Sequence, residues 1–574
     1  MHDLVIRGGT VVDGTGGPSF TADVAVEGGR ITAVGRVEGP AVETIDADGL
    51  IVTPGFVDPH THYDGQVTWD PLLTPSCWHG VTTAVLGNCG VGFAPVRPDL
   101  REWLVQLMEG VEDIPGTALH EGIRWAWETF PQYLDALDAM PHAIDLAAQL
   151  PHGALRAYVM GERGAANEPA TAADIAEMAT LAGDAATAGA VGFSTNRLAG
   201  HRAKDGRPVP GTFAADDEMM AIAGALGGAV VEIVSSEAMG GVPDGFRRDV
   251  ELAERLSRVA GTPVTFCLSQ VDTAPDQWRD VLAWIEAADA RGARIVPQVA
   301  GRPLGLLLGL TTKHVFGGRP SYEEVAGLPL PELARALTDP DRRTRILAEP
   351  VTPGVAVYAT KLAHKAFPLG DPPNYEPDPA TSVAATAART GRTVEETYYD
   401  LLLEDHGQRL VLFTLGGYAH GNADHIREML DHPLTVLGLA DGGAHVALIS
   451  DASTPTSVLS YFARDRDRGA RVPLETAVRK LTAGPAELYG FTDRGVLAPG
   501  RKADVNVIDF ERLGLESPRI AYDLPTGARR ILQRAHGYVA TVVSGEVVFA
   551  DGVDTGRRPG RLVRRSVPSS THPG

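Results

Sequence analysis

Apolar and polar positions follow one rhythm at the two ends of the chain and another between them. Short runs at 4–7, 10–12, 24–27 and 31–34, punctuated by Gly-Gly and Asp-Gly turns, predict strands. From Thr53 the texture changes. Brief apolar runs at 81–86, 190–193, 229–234, 264–268 and 294–299 alternate with longer Ala-rich stretches of helical character, among them 174–188 and 248–259. Strands that alternate with helices predict βαβ units and a parallel sheet. No fixed-period repeat points to a solenoid. The strand pattern returns at 503–508, 537–544 and 546–549.

This parses as a β-rich module built from both chain ends, 1–53 and 495–556, around one barrel spanning 54–494. Within the barrel, residues about 303–375 hold Pro-rich stretches and helical pieces, including 328–337, and read as an inserted lid. Insertions after barrel strands fall at the face where active sites sit. The segment 557–574, rich in Arg, Pro and Ser, reads as a disordered tail.

The 574 residues exceed one minimal core, which leaves room for a barrel and a second unit. A formal charge of −22 weighs against a nucleic-acid or anionic-membrane surface. The start, MHDLVIRGG, lacks the basic and long apolar regions of a signal peptide, and no apolar run is long enough to span a membrane. The three cysteines, Cys77, Cys89 and Cys267, form no disulfide framework and fit a reducing cytoplasm. The expectation is a cytoplasmic protein with a small-molecule partner, no nucleic-acid or membrane partner, and a composition compatible with a homo-oligomer.

Three segments carry candidate chemistry. In PGFVDPHTH (54–62), residues two apart on a strand point the same way, so His60 and His62 can both enter the barrel lumen. Two neutral imidazoles suit zinc and other divalent first-row ions, and the apolar lead-in favours this over a structural role. In GVTTAVLGNCG (80–90), a β-branched strand runs into a Gly-flanked Cys89, whose thiolate could bind metal, attack a substrate, or simply pack. In LGLADGGAH (437–445), Asp441 ends a late strand, where a carboxylate can shuttle a proton to a leaving group; an Asp-Gly turn is the plainer alternative. His445 is a further candidate, with a structural role equally open.

Together with DLVIRGGTVVDGTG at the start and APGRKADVNVID near the end, these segments resemble the N-acyl-D-amino-acid deacylases, the D-aminoacylase branch of the amidohydrolase superfamily. The resemblance covers nearly the whole chain. It implies an α/β fold, a TIM-type (β/α)8 barrel beside a small β-sandwich formed by both termini. It also implies His60 and His62 as ligands of one metal position, Cys89 as a thiolate ligand, and Asp441 as catalytic acid/base; with the second position depleted, Asp441 is expected to join His60 and His62 as a ligand of a single ion.

Two departures from the family pattern follow. The strand-end histidines of a second metal position align with Ile233 and Leu268, so one divalent ion per chain, zinc by donor type, is expected rather than two. Glu232, Glu237 or Gln270 could supply substitute oxygen ligands. No lysine clearly ends a core strand, which disfavours a carboxylated-lysine bridge. The second departure is the missing Arg after Asp441 that grips the substrate carboxylate in the family. His201, Arg202 and Arg302 are the basic candidates for substrate contact. The implied activity is hydrolysis of an amide C–N bond, with an N-acyl amino acid or related small amide as substrate. A cyclic-amide, ureide or small-peptide hydrolase and a non-catalytic degenerate barrel are the competing readings.

Overall fold

The computed structural model describes residues 1–565 apart from 243 and 352. Eight strands run parallel in one sheet: β1 (Phe56–Asp58), β2 (Val81–Leu86), β3 (Asp145–Pro151), β4 (Gly192–Asn196), β5 (Val230–Val234), β6 (Val264–Leu268), β7 (Gln298–Ala300) and β8 (Val436–Gly438). They follow chain order around the sheet. The ring closes just past the strand ends, where Thr61 bridges Gly442 and His62 N donates to Gly442 O at 2.7 Å. The fold is therefore a TIM-type barrel, its strands buried on both faces by the lumen and by surrounding helices.

Strand β3 has no counterpart among the runs expected from the sequence. Its polar residues break the apolar pattern, yet each finds a buried partner. Asp145 pairs with Arg494 at 2.6 Å and with Lys502 at 2.9 Å, and Gln149 Nε2 donates to Asn88 Oδ1 at 2.8 Å.

The two chain ends meet in one nine-stranded sheet, in which Ile51–Pro54 lies antiparallel to Val505–Ile508. Leu4, Ile6, Val24 and Val26 share a core with Val505, Val507 and Val542. Both crossings to the barrel thus leave this module side by side, and Gly55 N donates to Asp504 O at 2.8 Å. The expected tail behaves differently from a disordered segment as far as residue 565. Gly560 bridges His142, and Val563 N donates to Leu146 O at 2.6 Å, so this stretch straps the base of β3. Residues 566–574 lie outside the described residues.

Between β7 and β8 the chain makes the insertion, which is longer than the expected 303–375. Its antiparallel sheet joins Leu304–Leu308 and Ala366–Pro368 to a central strand at Val411–Gly416. A separate core of Leu308, Phe316, Leu333, Ile346, Tyr398 and Phe413 fills it. Because it leaves from the carboxyl end of β7, it sits at the same barrel face as His60. Leu307 N donates to Leu448 O at 2.7 Å, tying the insertion to the loop after β8. Lys313 of the insertion lies 3.3 Å from Asp113, which follows the Arg101–Glu112 helix. Among the described residues no helix is long and apolar enough to cross a membrane.

Candidate metal centre

The chain continues from β1 through His60, Thr61 and His62, pinned on both sides. Thr61 N and Oγ1 both donate to Val85 O of β2, at 3.1 and 2.7 Å, while Asp58 Oδ1 accepts from His60 N at 3.1 Å. Thr61 therefore turns to the β2 side, and the period of two sends both imidazoles into the lumen. Each is buried.

The Gly-Asn-Cys-Gly segment after β2 is built by close approach. Gly87 has φ 76°, and a Cβ there would come within 2.3 Å of Gln149 O, so only glycine fits. Asn88 Nδ2 donates to Thr61 O and Val85 O at 3.0 and 2.9 Å, clamping the turn to the histidine segment. Cys89 then adopts φ 57°, and its N–H donates to Glu232 Oε2 of β5 at 3.0 Å. Asp441 and His445, in the loop after β8, also have left-handed φ values of 48° and 46°. A non-glycine residue held there costs about 1 kcal/mol or more, and such residues cluster at functional sites.

These backbone choices bring four donors together. Cys89 Sγ lies 3.3 Å from His60 Nε2 and 3.8 Å from His62 Nε2. Asp441 Oδ1 lies 3.4 Å and 3.9 Å from the same two nitrogens. Ligands at about 2.0–2.3 Å from a tetrahedral ion stand roughly 3.3–3.8 Å apart. His60, His62 and Cys89 form such a group, with donor atoms within 4.8 Å of one another, and Asp441 adjoins it on the side of the two imidazoles. The ring orientations agree. His60 Nδ1 donates to Gln298 Oε1 at 3.1 Å, which leaves Nε2 as its lone-pair nitrogen.

Burial sets the charges. It pushes His60 down to about 4 and His62 well below the ordinary imidazole value, so both rings are neutral at pH 7. Asp441 is pushed up to about 8 by burial and by the carboxylates of Asp451 and Asp58; burial likewise lifts Glu232 to about 8. The Cys89 thiol is pushed up well above its usual range by burial and by Glu232. Asp58 Oδ2, Glu112 Oε1 and Glu232 Oε1 are buried without a hydrogen-bond partner. A cation at the four donors would favour the ionised forms of Asp441 and Cys89 that burial opposes.

The remaining candidates separate. Glu232 and Cys267, on neighbouring strands, form a second grouping with His60, one donor atom from each lying within 4.8 Å of the others. With Glu232 and Cys267 facing the lumen, alternation turns Ile233 and Leu268 outward to the helical layer, contrary to the expected ligand places. Gln270 is no ligand. Its Oε1 accepts from Ala419 N at 2.7 Å and its Nε2 donates to Pro275 O at 3.2 Å, tying the end of the insertion to β6. Glu237 likewise accepts from Val242 N at 2.9 Å within its own loop.

Of the basic candidates, Arg202 is exposed and donates to Gly206 O at 2.7 Å, closing its own loop. Arg302 is buried, pairs with Asp451 at 2.8 Å and stacks 3.8 Å over Tyr375. It also donates to Ser453 Oγ at 2.9 Å and Ser450 Oγ at 3.2 Å, so it braces the loop after β8. His201 is half-buried, with Nδ1 unpartnered, and its charge would depress that of His62. His445 is partly exposed, with Nε2 3.6 Å from Glu112 Oε2. Glu112, Gln298 and Cys267 carry no motif and stand out only in three dimensions.

With barrel and donors in place, kinship can be stated. The profile of the amidohydrolase family matches residues 43–549, and the chain belongs to that family. D-aminoacylase of Alcaligenes xylosoxydans xylosoxydans is 29% identical over 588 residues, covering 98% of each chain. A solved D-aminoacylase, whose binuclear metal centre shows one-metal activation and second-metal attenuation, is 26% identical with a TM-score of 0.66, covering 98% of this chain and 100% of its own. N-acyl-D-glutamate deacylase of Bordetella bronchiseptica, solved with zinc and a phosphonate mimic of the tetrahedral intermediate, is 25% identical with a TM-score of 0.65, covering 98% and 100%.

Proposed function

We propose that this chain is a divalent-metal-dependent hydrolase cleaving the amide C–N bond of an N-acyl amino acid or a related small N-acyl amide. The observation that carries the reading is the approach of Cys89 and Asp441 to the buried imidazoles of His60 and His62, at 3.3–3.9 Å from their Nε2 atoms. Kinship with D-aminoacylase and N-acyl-D-glutamate deacylase over 98% of the chain supports the same bond.

His60, His62 and Cys89, with Asp441 beside them, would hold a divalent ion, zinc by this donor chemistry, which would supply Lewis-acid charge at the scissile carbonyl and make water nucleophilic near neutral pH. The protein's own groups do the rest. His60 and His62 stay neutral and present Nε2, the former held by Gln298. Asp441 accepts the proton of the attacking water and returns it to the leaving nitrogen.

One tightly held ion per chain fits best. The grouping of Glu232 and Cys267 has no imidazole besides His60, which the first group already uses. The loop after Asp441 reads GGAHVALISDAS and offers no Arg to the substrate carboxylate, so neither an acidic substrate nor a D configuration is required by it.

The test is release of free amine from paired D and L N-acetyl amino acids and their amides by zinc-loaded protein. Hydrolysis of any class above the metal-stripped control supports the reading. No turnover across the panel by zinc-replete protein would overturn it.

A further inference from the structure

Glu112 is the last residue of the Arg101–Glu112 helix, which follows β2, and its side chain is buried at the edge of the metal centre. Its two carboxylate oxygens face two different imidazoles. Oε1 lies 3.5 Å from His62 Nδ1, and Oε2 lies 3.6 Å from His445 Nε2. Both Glu112 Oε1 and His62 Nδ1 are buried atoms with no hydrogen-bond partner elsewhere. Each thus offers the other the partner it lacks, at a separation that a few tenths of an ångström would close. The backbone adds a third tie, because His445 N donates to Glu112 O.

We infer that Glu112 is a positioning residue, which orients His62 toward the metal and anchors the Asp441–His445 loop to the helix end. The inference rests on the metal-centre reading above. A carboxylate that accepts from Nδ1–H leaves Nε2 as the donor nitrogen, and Nε2 is the atom of His62 near Cys89 and Asp441. His60 receives the same treatment from Gln298, so the two imidazoles are set by different elements, a strand on one side and a helix end on the other. At the second imidazole, Glu112 holds a residue four positions beyond Asp441. The loop that delivers the proton shuttle is therefore fastened to the group that orients His62.

Native, Glu112→Gln and Glu112→Ala proteins are stripped with chelator and titrated with zinc against a chromophoric competitor. The expected result is roughly 10–100-fold weaker zinc binding for Glu112→Ala. Glu112→Gln, whose amide oxygen can still accept from one imidazole, should fall between it and the native protein. The zinc-free melting transition of Glu112→Gln should match that of native protein, since the substitution preserves shape. Variants that bind zinc as tightly as native protein overturn the inference. So does a loss of affinity that merely tracks a lowered zinc-free melting transition. Native protein that takes up no zinc sinks the metal-centre reading itself, a separate and recognisable outcome.

Discussion

Cys89 Sγ lies 3.3 Å from His60 Nε2 although the two residues follow different strands of the barrel. The contact depends on the left-handed backbone at Cys89 and on its N–H bond to Glu232, which turn the thiol inward. A cysteine that only packed would need neither. Cys89→Ala should therefore weaken metal binding by at least the 10–100-fold typical of losing a group behind the ligands. Chelator competition and metal analysis after dialysis check this. Native metal content and rate in the variant would leave Cys89 as filler.

Loading the ion should release protons. Without it, Asp441 is pushed up to about 8 and the Cys89 thiol higher still, while His60 is pushed down to about 4. At pH 7 the acid and thiol hold protons and the imidazole does not. Ligation displaces about two protons, so affinity should tighten by about two logarithmic units per pH unit between about pH 6 and 8. By linkage, the raised carboxyl stabilises the ion-free fold most below its ordinary value of 3.8, and that contribution is lost as pH rises through about 8. Titration calorimetry in buffers of different ionisation enthalpy reads the proton count. A pH-independent affinity over this range would contradict the ligand set.

How much of this was legible in the chain depends on whether a group's partner is local. His60 and His62 could be placed because a strand's period of two needs no distant information, and Asp441 because it closely follows a late apolar run and precedes glycines. Glu112 could not, because a helix-end glutamate becomes a histidine partner only when the barrel closes. Gln298 pairs with His60 across 238 residues for the same reason. Strand β3 was hidden by Asp145 and Gln149, whose polarity is absorbed by Arg494, Lys502 and Asn88. The insertion looked short because its central strand, Val411–Gly416, follows the two strands it pairs with. Pairing of that kind leaves no periodic trace.

The insertion should govern substrate access. Lys313 ties the insertion to Asp113, directly after Glu112, and both side chains are partly exposed. An exposed pair contributes roughly 0–1 kcal/mol, so Lys313→Ala should leave stability and metal content unchanged. Its effect belongs instead to closure over the site. A rise in KM of a few-fold for N-acyl substrates is expected, with kcat changed less. Identical kinetic constants across a substrate panel would show that this contact does not serve as a latch.

Asp441 carries the mechanism, and ligation and proton transfer at its carboxylate separate under mutation. Its Oδ1 lies 3.4 Å from His60 Nε2 and 3.9 Å from His62 Nε2, close enough to share an ion with them. Asp441→Asn keeps the size and one oxygen but cannot accept a proton near neutrality. Turnover should fall by at least the roughly 10²–10⁴-fold typical of a lost general acid/base. Metal content should drop only in part, because His60, His62 and Cys89 remain. The control is the melting transition with added zinc, which should stay near that of native protein. If Asp441→Asn hydrolyses an N-acyl amide at close to the native rate with full metal, the proton passes through another group. His445, four residues on and partly exposed beside Glu112, is then the group to mutate next.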